Sequence, residues 1–380
     1  MKLLFAGGVT GGHIAPGVAL AEYAIENHPG CQALFASVAN EIEERMIARR
    51  GLDLVRITGR TRGTAGAAMA LPAAMLRGRR LLKRYRPDVV IGLGAGASLG
   101  TAAAAITRRT PMVLLEQNIV PGRTNRFLGG RAAAIFCQWQ EAADELGGNA
   151  LFTGSPVRKE IAQSRHVDRA DACRLFGLDP DWPILLVMGG SQGASPINAA
   201  MLAAARRLAG RAQIIHLTGR NDLDRVTAGY RDAGVEAHVT AFFEMMHLAY
   251  GAADLALARA GATSIAEFAA AGLPAILVPY PYARDDHQRA NARAVEQQQW
   301  GVPVDQDDLT PDRTAGLVFE LLDADERRRA MAANARQAAR DDAASLILEH
   351  LGRLVDQRAD AVPAATGRKE TQSDPVHHRA

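Results

Sequence analysis

Two glycine-rich turns carry the residues best suited to hold an anion. The first reads Gly7-Gly8-Val9-Thr10-Gly11-Gly12-His13, the second Gly189-Gly190-Ser191-Gln192-Gly193-Ala194. Each follows a short apolar run and precedes a helical stretch. Each therefore offers bare backbone amides at a helix N-terminus, where the peptide dipole favours negative charge. Glycine also lets the backbone approach a ligand that a side chain would hold off. His13 opens the helix after the first turn and faces whatever binds there. A tight strand-to-helix turn without a ligand is the plainer alternative for the same residues.

A third stretch, Arg259-Ala260-Gly261-Ala262-Thr263-Ser264-Ile265-Ala266-Glu267, has the same form. A strand ends, a glycine permits a turn, and a helix starts near Ala262, with free amides fit for a diphosphate. Glu267 lies about one turn inside, where a carboxylate can accept the two ribose hydroxyls of a nucleotide. It can equally be a solvated acid that complements the helix dipole.

A dinucleotide oxidoreductase is the natural competitor. It needs an acidic residue at the end of the second strand, about 20 residues beyond the first turn. Residues 30–40 contain neither Asp nor Glu, and the turn is not G-x-G-x-x-G, which argues against NAD. The pairs Asp179/Asp181, Asp222/Asp224 and Asp323/Asp325 could hold a divalent ion. Each lies beside an expected helix start, so they read as caps. No metal ligands and no cofactor are expected.

The elements that must position these residues alternate. Apolar runs at Leu3–Ala6, Ala33–Phe35, Val89–Ile91, Met112–Leu115 and Ala133–Phe136 read as buried strands, with helices between them near 14–27, 41–50, 66–86, 97–107 and 121–128. The second half repeats the scheme. Its strands are Ile184–Met188, Gln213–Leu217, Leu255–Ala258 and Ala275–Val278, its helices lie near 193–208, 262–270 and 288–299, and the last helical stretches run from about 311 to 354. This alternation predicts two α/β units, each a doubly wound parallel sheet. The expected units are 1–156 and 157–358, divided near Gly154-Ser155-Pro156-Val157-Arg158, with a polar, disordered tail at 359–380. A length of 380 residues suits two domains.

The net charge is only +3, but no acidic residue lies between Asp53 and Asp88, where nine Arg or Lys residues do. An apolar stretch from Ala65 to Leu76 leads into the basic run ending at Arg86. Such a helix suits an anionic membrane surface, or is simply a solvated face. Nucleic acid is disfavoured, because Tyr85 is the lone stacking aromatic there. Cys31, Cys137 and Cys173 form no close pair, which points to a reducing compartment. There is neither a signal peptide nor a spanning run in the sequence, so a cytoplasmic protein is expected.

Taken in order, six motifs resemble the MurG family, the UDP-N-acetylglucosamine transferases of bacterial peptidoglycan synthesis. They are the Gly7–His13 turn, Glu116-Gln117-Asn118 with Gly122-Arg123-Thr124-Asn125, Gly154–Arg158, Gly189–Ala194, Arg259–Glu267 and His287-Gln288-Arg289-Ala290-Asn291-Ala292. The resemblance covers residues 1–352 and implies a GT-B fold, two Rossmann-like domains facing across a cleft. It implies UDP-N-acetylglucosamine as donor and lipid I, an undecaprenyl-diphosphate-linked muramyl pentapeptide, as acceptor, at the cytoplasmic face of the inner membrane. It places Thr10, Gly11 and Gly12 beside the sugar-phosphate region, and Asn125 near the N-acetylglucosamine. Arg158 and Ser191 fall on the diphosphate side, and a backbone group of Phe243 reads uracil. Ala262, Thr263, Ser264, Ile265 and Ala266 form the helix start under the diphosphate, Glu267 holds ribose, and Gln288 reads the sugar hydroxyls. His13 is the candidate base. Two departures stand out: Gly94-Ala95-Gly96 lacks the family's Gly-Gly-Tyr tyrosine, and His287 stands where some members carry a second Gln. The competing readings are a diacylglycerol glycosyltransferase, a UDP-sugar epimerase, an NAD enzyme and a non-catalytic nucleotide-sugar-binding protein.

Overall fold

The structure, a computed structural model, describes residues 1–8, 11–57, 63–94, 96–190 and 192–360; for Ile42, residues 63–70 and Ala359 it describes the backbone alone. Thr10, Ser191, Ala95 and the tail from residue 361 lie outside the described residues.

The apolar runs become the centres of two parallel sheets. The first is built from β1 (Lys2–Ala6), β2 (Gln32–Ser37), β3 (Asp53–Arg56), β4 (Val89–Gly92), β5 (Met112–Glu116), β6 (Ala134–Cys137) and β7 (Ala150–Phe152). The second holds β8 (Ile184–Met188), β9 (Gln213–Leu217), β10 (Ala237–Thr240), β11 (Leu255–Ala258), β12 (Ala275–Leu277) and β13 (Gly301–Pro303). The strand orders are 3-2-1-4-5-6-7 and 10-9-8-11-12-13. Every residue of β4, β5, β6, β8, β9 and β11 is buried, as expected for parallel strands covered on both faces. In the first sheet Leu4 pairs with Leu34 on one side and Val90 on the other; in the second, Val187 lies between His216 and Leu257.

Among the described residues, the helices between the strands of the first sheet are α1 (Gly11–Asn27), α2 (Glu41–Ala48), α3 (Gly63–Tyr85), α4 (Leu99–Thr107), α5 (Arg123–Gly129) and α6 (Gln140–Leu146). Then follow α7 (Lys159–Ala162), α8 (Arg169–Phe176), α9 (Ser195–Leu208), α10 (Leu223–Ala233), α11 (Met246–Ala252), α12 (Ala262–Ala271), α13 (His287–Gln297), α14 (Pro311–Leu322), α15 (Asp325–Ala338) and α16 (Ala343–Asp360). Local signals set several ends. Asp168 and Thr310 accept from the amides of Asp171 and Arg313, and Pro311 takes the first position of α14.

In each sheet the strand order reverses beside the first strand of the domain. Ligands of open α/β sheets bind beyond the strand C-termini at that reversal. Both glycine turns lie there, directly after β1 and β8. Their packing explains the glycines. Gly7 has φ +100°, and a Cβ would stand 2.8 Å from the Gly94 carbonyl oxygen; at Gly193, φ is +74° and a Cβ would stand 2.0 Å from the Thr218 carbonyl oxygen.

The domain division, the start of the tail and the capping role of Asp222 need correction. The helical stretches expected over 311–354 are α14, α15 and α16. The last of them, α16, returns to the first domain: Ile347, Leu348 and Leu351 join the same buried cluster as Leu20 and Val113, and His350 packs edge-on against Phe136 at 5.3 Å. Dividing the chain at 157–358 therefore misassigns this helix, which runs to Asp360, past the expected start of the tail. Finally, Asp222 does not cap its own helix. It accepts from Ser195 Oγ (2.7 Å) and Asn198 Nδ2 (2.9 Å), tying the starts of α9 and α10 together.

Because Ile347 is fully buried, Ile347→Ala should cost about 2–5 kcal/mol of unfolding free energy in urea. A loss below about 0.5 kcal/mol, typical of surface positions, would contradict this docking of α16.

Candidate active site

Strand β11 delivers the chain to the start of α12, and Arg259 holds the turn. Its buried guanidinium donates to the carbonyls of Val278 (3.3 Å) and Pro279 (3.1 Å) and to Gln306 Oε1 (2.6 Å), and burial lowers its pKa. Gly261 precedes the helix in extended conformation, and no side chain caps it. Among the described residues, the first-turn amides of α12 thus have no side-chain acceptor.

The first domain closes on this helix start. Thr263 Oγ1 donates to the Gly12 carbonyl at 2.6 Å, and Gln138 Nε2 to the Ala262 carbonyl at 3.1 Å. Asn291 of α13, fully buried, accepts from the Ile119 amide (3.1 Å) and donates to Asn118 Oδ1 (3.3 Å) and the Ala260 carbonyl (3.2 Å). Arg123 makes a two-bonded pair with Asp285 at 2.6 and 3.0 Å. Asp285 and Asp286 both hold left-handed φ, 54° and 51°, a strained way for non-glycine residues to enter α13.

Glu267 is buried, so the solvated reading of this acid fails. Its Oε1 accepts from Arg158 Nη2 at 3.1 Å and its Oε2 from the Tyr250 hydroxyl at 2.7 Å. Arg158, expected toward the diphosphate, gives its guanidinium to Glu267 and, at 3.6 Å, to Glu160. Burial alone would lower the Arg158 pKa; Glu267 and Glu160 carry it upward instead. Burial, with Glu267 beside it, holds the Tyr250 hydroxyl well above 10.

The other expected residues that the structure describes differ in burial and in their partners. His13 sits beside Gly94, and burial, then the charge of His287, lowers its pKa. Gly11 and Gly12 begin α1. Asn125 is buried, its Nδ2 committed to the Leu115 carbonyl (2.9 Å) and Glu116 Oε2 (2.8 Å), while its Oδ1 has no partner among the described residues. Gln288 Oε1 accepts from the Tyr280 amide at 2.9 Å. The Phe243 ring packs on Phe176 at 5.2 Å. Ile265 turns into the core and Ala266 lines a cavity behind α12, so both can offer a ligand only backbone. That cavity, about 430 Å³, is also lined by Tyr23, Trp139, Ser155 and Trp300; it adjoins α12 through Ile265 and Ala266, whereas Gly12, Thr263, Glu267 and Gln288 do not line it.

Sequence reasoning missed four residues. Glu116 accepts from the Asn118 and Gly122 amides and from Asn125, yet burial still raises its pKa. Glu43 lies beside Gly8 of the first turn, with one carboxylate oxygen unpartnered among the described residues and a pKa raised by burial. Its reciprocal bonds with Asn40 form a capping box, and the Asn-x-x-Glu spacing was the available signal. Asn291 lay within a recognised motif without a role, and nothing local marks Tyr250.

Comparison with known proteins identifies the family and the fold. The glycosyltransferase family 28 N-terminal domain matches residues 3–137, and the family 28 C-terminal domain matches residues 184–347. A UDP-N-acetylglucosamine–N-acetylmuramyl-(pentapeptide) pyrophosphoryl-undecaprenol N-acetylglucosamine transferase of Pelobacter propionicus is 40% identical, covering 92% of this chain and 99% of the relative. The chain belongs to the MurG family. The crystal structure of Acinetobacter baumannii MurG superposes with a TM-score of 0.73 at 27% identity, covering 93% of this chain and 99% of that one. A UDP-GlcNAc 2-epimerase from Neisseria meningitidis bound to UDP-GlcNAc aligns with a TM-score of 0.68 at 13% identity over 93% and 100% of the two chains, a likeness of fold alone. The two-sheet architecture is that of GT-B glycosyltransferases.

With its pKa lowered, His13 should be a neutral imidazole at pH 7. In an NMR titration of ring-labelled protein it should titrate below the ordinary 6.5, and His287→Ala should move it back toward that value. Titration above 6.5 would contradict the burial and charge assigned to it.

Proposed function

We propose that the chain transfers N-acetylglucosamine from UDP-N-acetylglucosamine to the 4-hydroxyl of the undecaprenyl-diphosphate-linked muramyl pentapeptide, turning lipid I into lipid II with inversion at the anomeric carbon. The observation that carries this reading is the uncapped start of α12, set against the glycine turn of the opposite domain, with the Glu267 carboxylate one turn inside. Its family membership supports the same donor and acceptor.

In this reading the diphosphate lies on the amides of Ala262, Thr263 and Ser264, with Ser191 adding a hydroxyl. A carboxylate offers about four lone-pair sites, and Glu267 uses two on Arg158 and Tyr250. The remainder accept the ribose hydroxyls. Backbone of Phe243 reads uracil. Thr10, Gly11 and Gly12 border the sugar-phosphate, and Asn125 Oδ1 faces the acetamido sugar. The bond from the Tyr280 amide fixes the Gln288 side chain, so its Nε2 meets the sugar hydroxyls.

The reaction is a single displacement. The acceptor 4-oxygen bonds to the anomeric carbon as the bond to the UDP oxygen breaks, and that electron pair stays on the β-phosphate. The hydroxyl proton passes to the neutral His13 imidazole. Charge growing on UDP is met by the aligned amides and dipole of α12, which need no reorganisation.

The acceptor's lipid requires a membrane surface. Helix α3 supports this: Arg77, Arg79, Arg80, Lys83 and Arg84 are exposed, with Leu76 at 52% exposure among them. No helix among the described residues is long and apolar enough to cross a membrane. We infer peripheral attachment to the anionic cytoplasmic leaflet. Nucleic acid is not an expected partner.

The test is transfer of radiolabelled sugar from UDP-N-acetylglucosamine to a short-chain lipid I analogue. Wild-type protein should form labelled lipid II, and His13→Ala should cut kcat by about 10²–10⁴-fold with a small change in donor KM. Turnover near wild type in His13→Ala would remove it as the base.

A further inference from the structure

A line of alternating charges runs from the first domain into the buried end of the donor seat. Arg50, just after α2, is held on three sides. Its Nε lies 2.7 Å from Glu22 Oε1 on α1, its Nη1 donates to the Met46 carbonyl at 3.3 Å, and its Nη2 reaches Glu160 Oε1 at 3.0 Å. Glu160 belongs to α7, which packs on α11 and α12 of the second domain. The same Glu160 oxygen lies 3.6 Å from Arg158 Nη1, and Arg158 and Tyr250 hold the two oxygens of Glu267. Desolvation alone would raise the Glu160 pKa. Its backbone hydrogen bond and the two guanidiniums reverse this and lower it, so the shared carboxylate is ionised. Arg158 Nε, buried and without a hydrogen-bond partner, is a spare donor at the same place.

We propose that Arg50 and Glu160 are positioning residues for the nucleotide: the first domain, through Arg50, fixes Glu160, which aims Arg158 and thereby sets the Glu267 carboxylate for ribose. The proposal rests on the reading of Glu267 as the ribose acceptor. Arg50 contributes only while the two domains hold this arrangement. Donor binding and domain arrangement are therefore linked, and each favours the other by the same factor.

The full chain is tested by transfer kinetics with UDP-N-acetylglucosamine and a lipid I analogue, and by calorimetric titration with UDP. Arg50→Met and Glu160→Gln should each raise donor KM and UDP Kd by at least about fivefold. Acceptor KM and kcat should stay within about twofold, a split that general destabilisation does not produce. Arg50→Lys should recover part of the loss, and the double variant should bind UDP no worse than the weaker single, because both act in one chain. Glu160→Gln carries the same expectation even where Arg50→Met fails to fold. Weakened UDP binding in Glu267→Gln, with none in the other two variants, overturns the coupling and leaves the ribose reading standing. Unchanged binding in Glu267→Gln overturns the ribose reading and this proposal with it. A lowered melting temperature without a donor-specific KM change overturns the positioning role.

Discussion

Helix α12 begins where the two domains meet, and the rest of the site is arranged around that start. Its first turn lacks a side-chain cap. In place of one, neighbouring groups fix the backbone around it: Asn291 of α13 donates to the Ala260 carbonyl and to the Asn118 loop of the first domain, and from the first domain Gln138 donates to the Ala262 carbonyl while the Gly12 carbonyl accepts from Thr263 Oγ1. These partners occupy acceptors and a hydroxyl, and none takes an amide of the first turn. An anion therefore finds the donors uncommitted and the surrounding backbone fixed. Both glycine turns follow from the same constraint, since a side chain at Gly7 or Gly193 would collide with neighbouring backbone.

A buried ion pair is an expensive way to hold a carboxylate. Desolvation of Arg158 and Glu267 is repaid only if geometry and hydrogen bonding are good. The Tyr250 hydroxyl and Glu160 supply that completion, and Arg158 Nε is left over. A pair retained at that cost fits a position where a ligand needs an acceptor of fixed orientation. Buried Glu116 and its neighbour Asn125 follow the same pattern: the carboxylate is saturated, and one amide oxygen remains unpartnered.

Much of this was legible in the sequence, and what was not has a physical reason. The nine strands expected from apolar runs are present, all at or near sheet centres. The four that escaped, β3, β7, β10 and β13, are the edge strands, only partly buried and three or four residues long. Glycine turns carry a local signature because φ and close approach are local demands. The partners of Glu267 carry none: Arg158 and Tyr250 lie 109 and 17 residues away, and only tertiary packing brings them together. The return of α16 to the first domain was hidden for the same reason, since an amphipathic helix does not say which sheet it covers.

The central claim is that one helix start, completed by both domains, seats the donor diphosphate. A crystal structure of the chain with UDP-N-acetylglucosamine bound tests it most directly. The account predicts diphosphate oxygens within hydrogen-bond distance, about 2.7–3.2 Å, of the amides of Ala262 to Ser264, with ribose hydroxyls on Glu267. A diphosphate bound only at the Gly7–His13 turn, with Glu267 still closed on Arg158 and Tyr250 and touching no ribose, would contradict it.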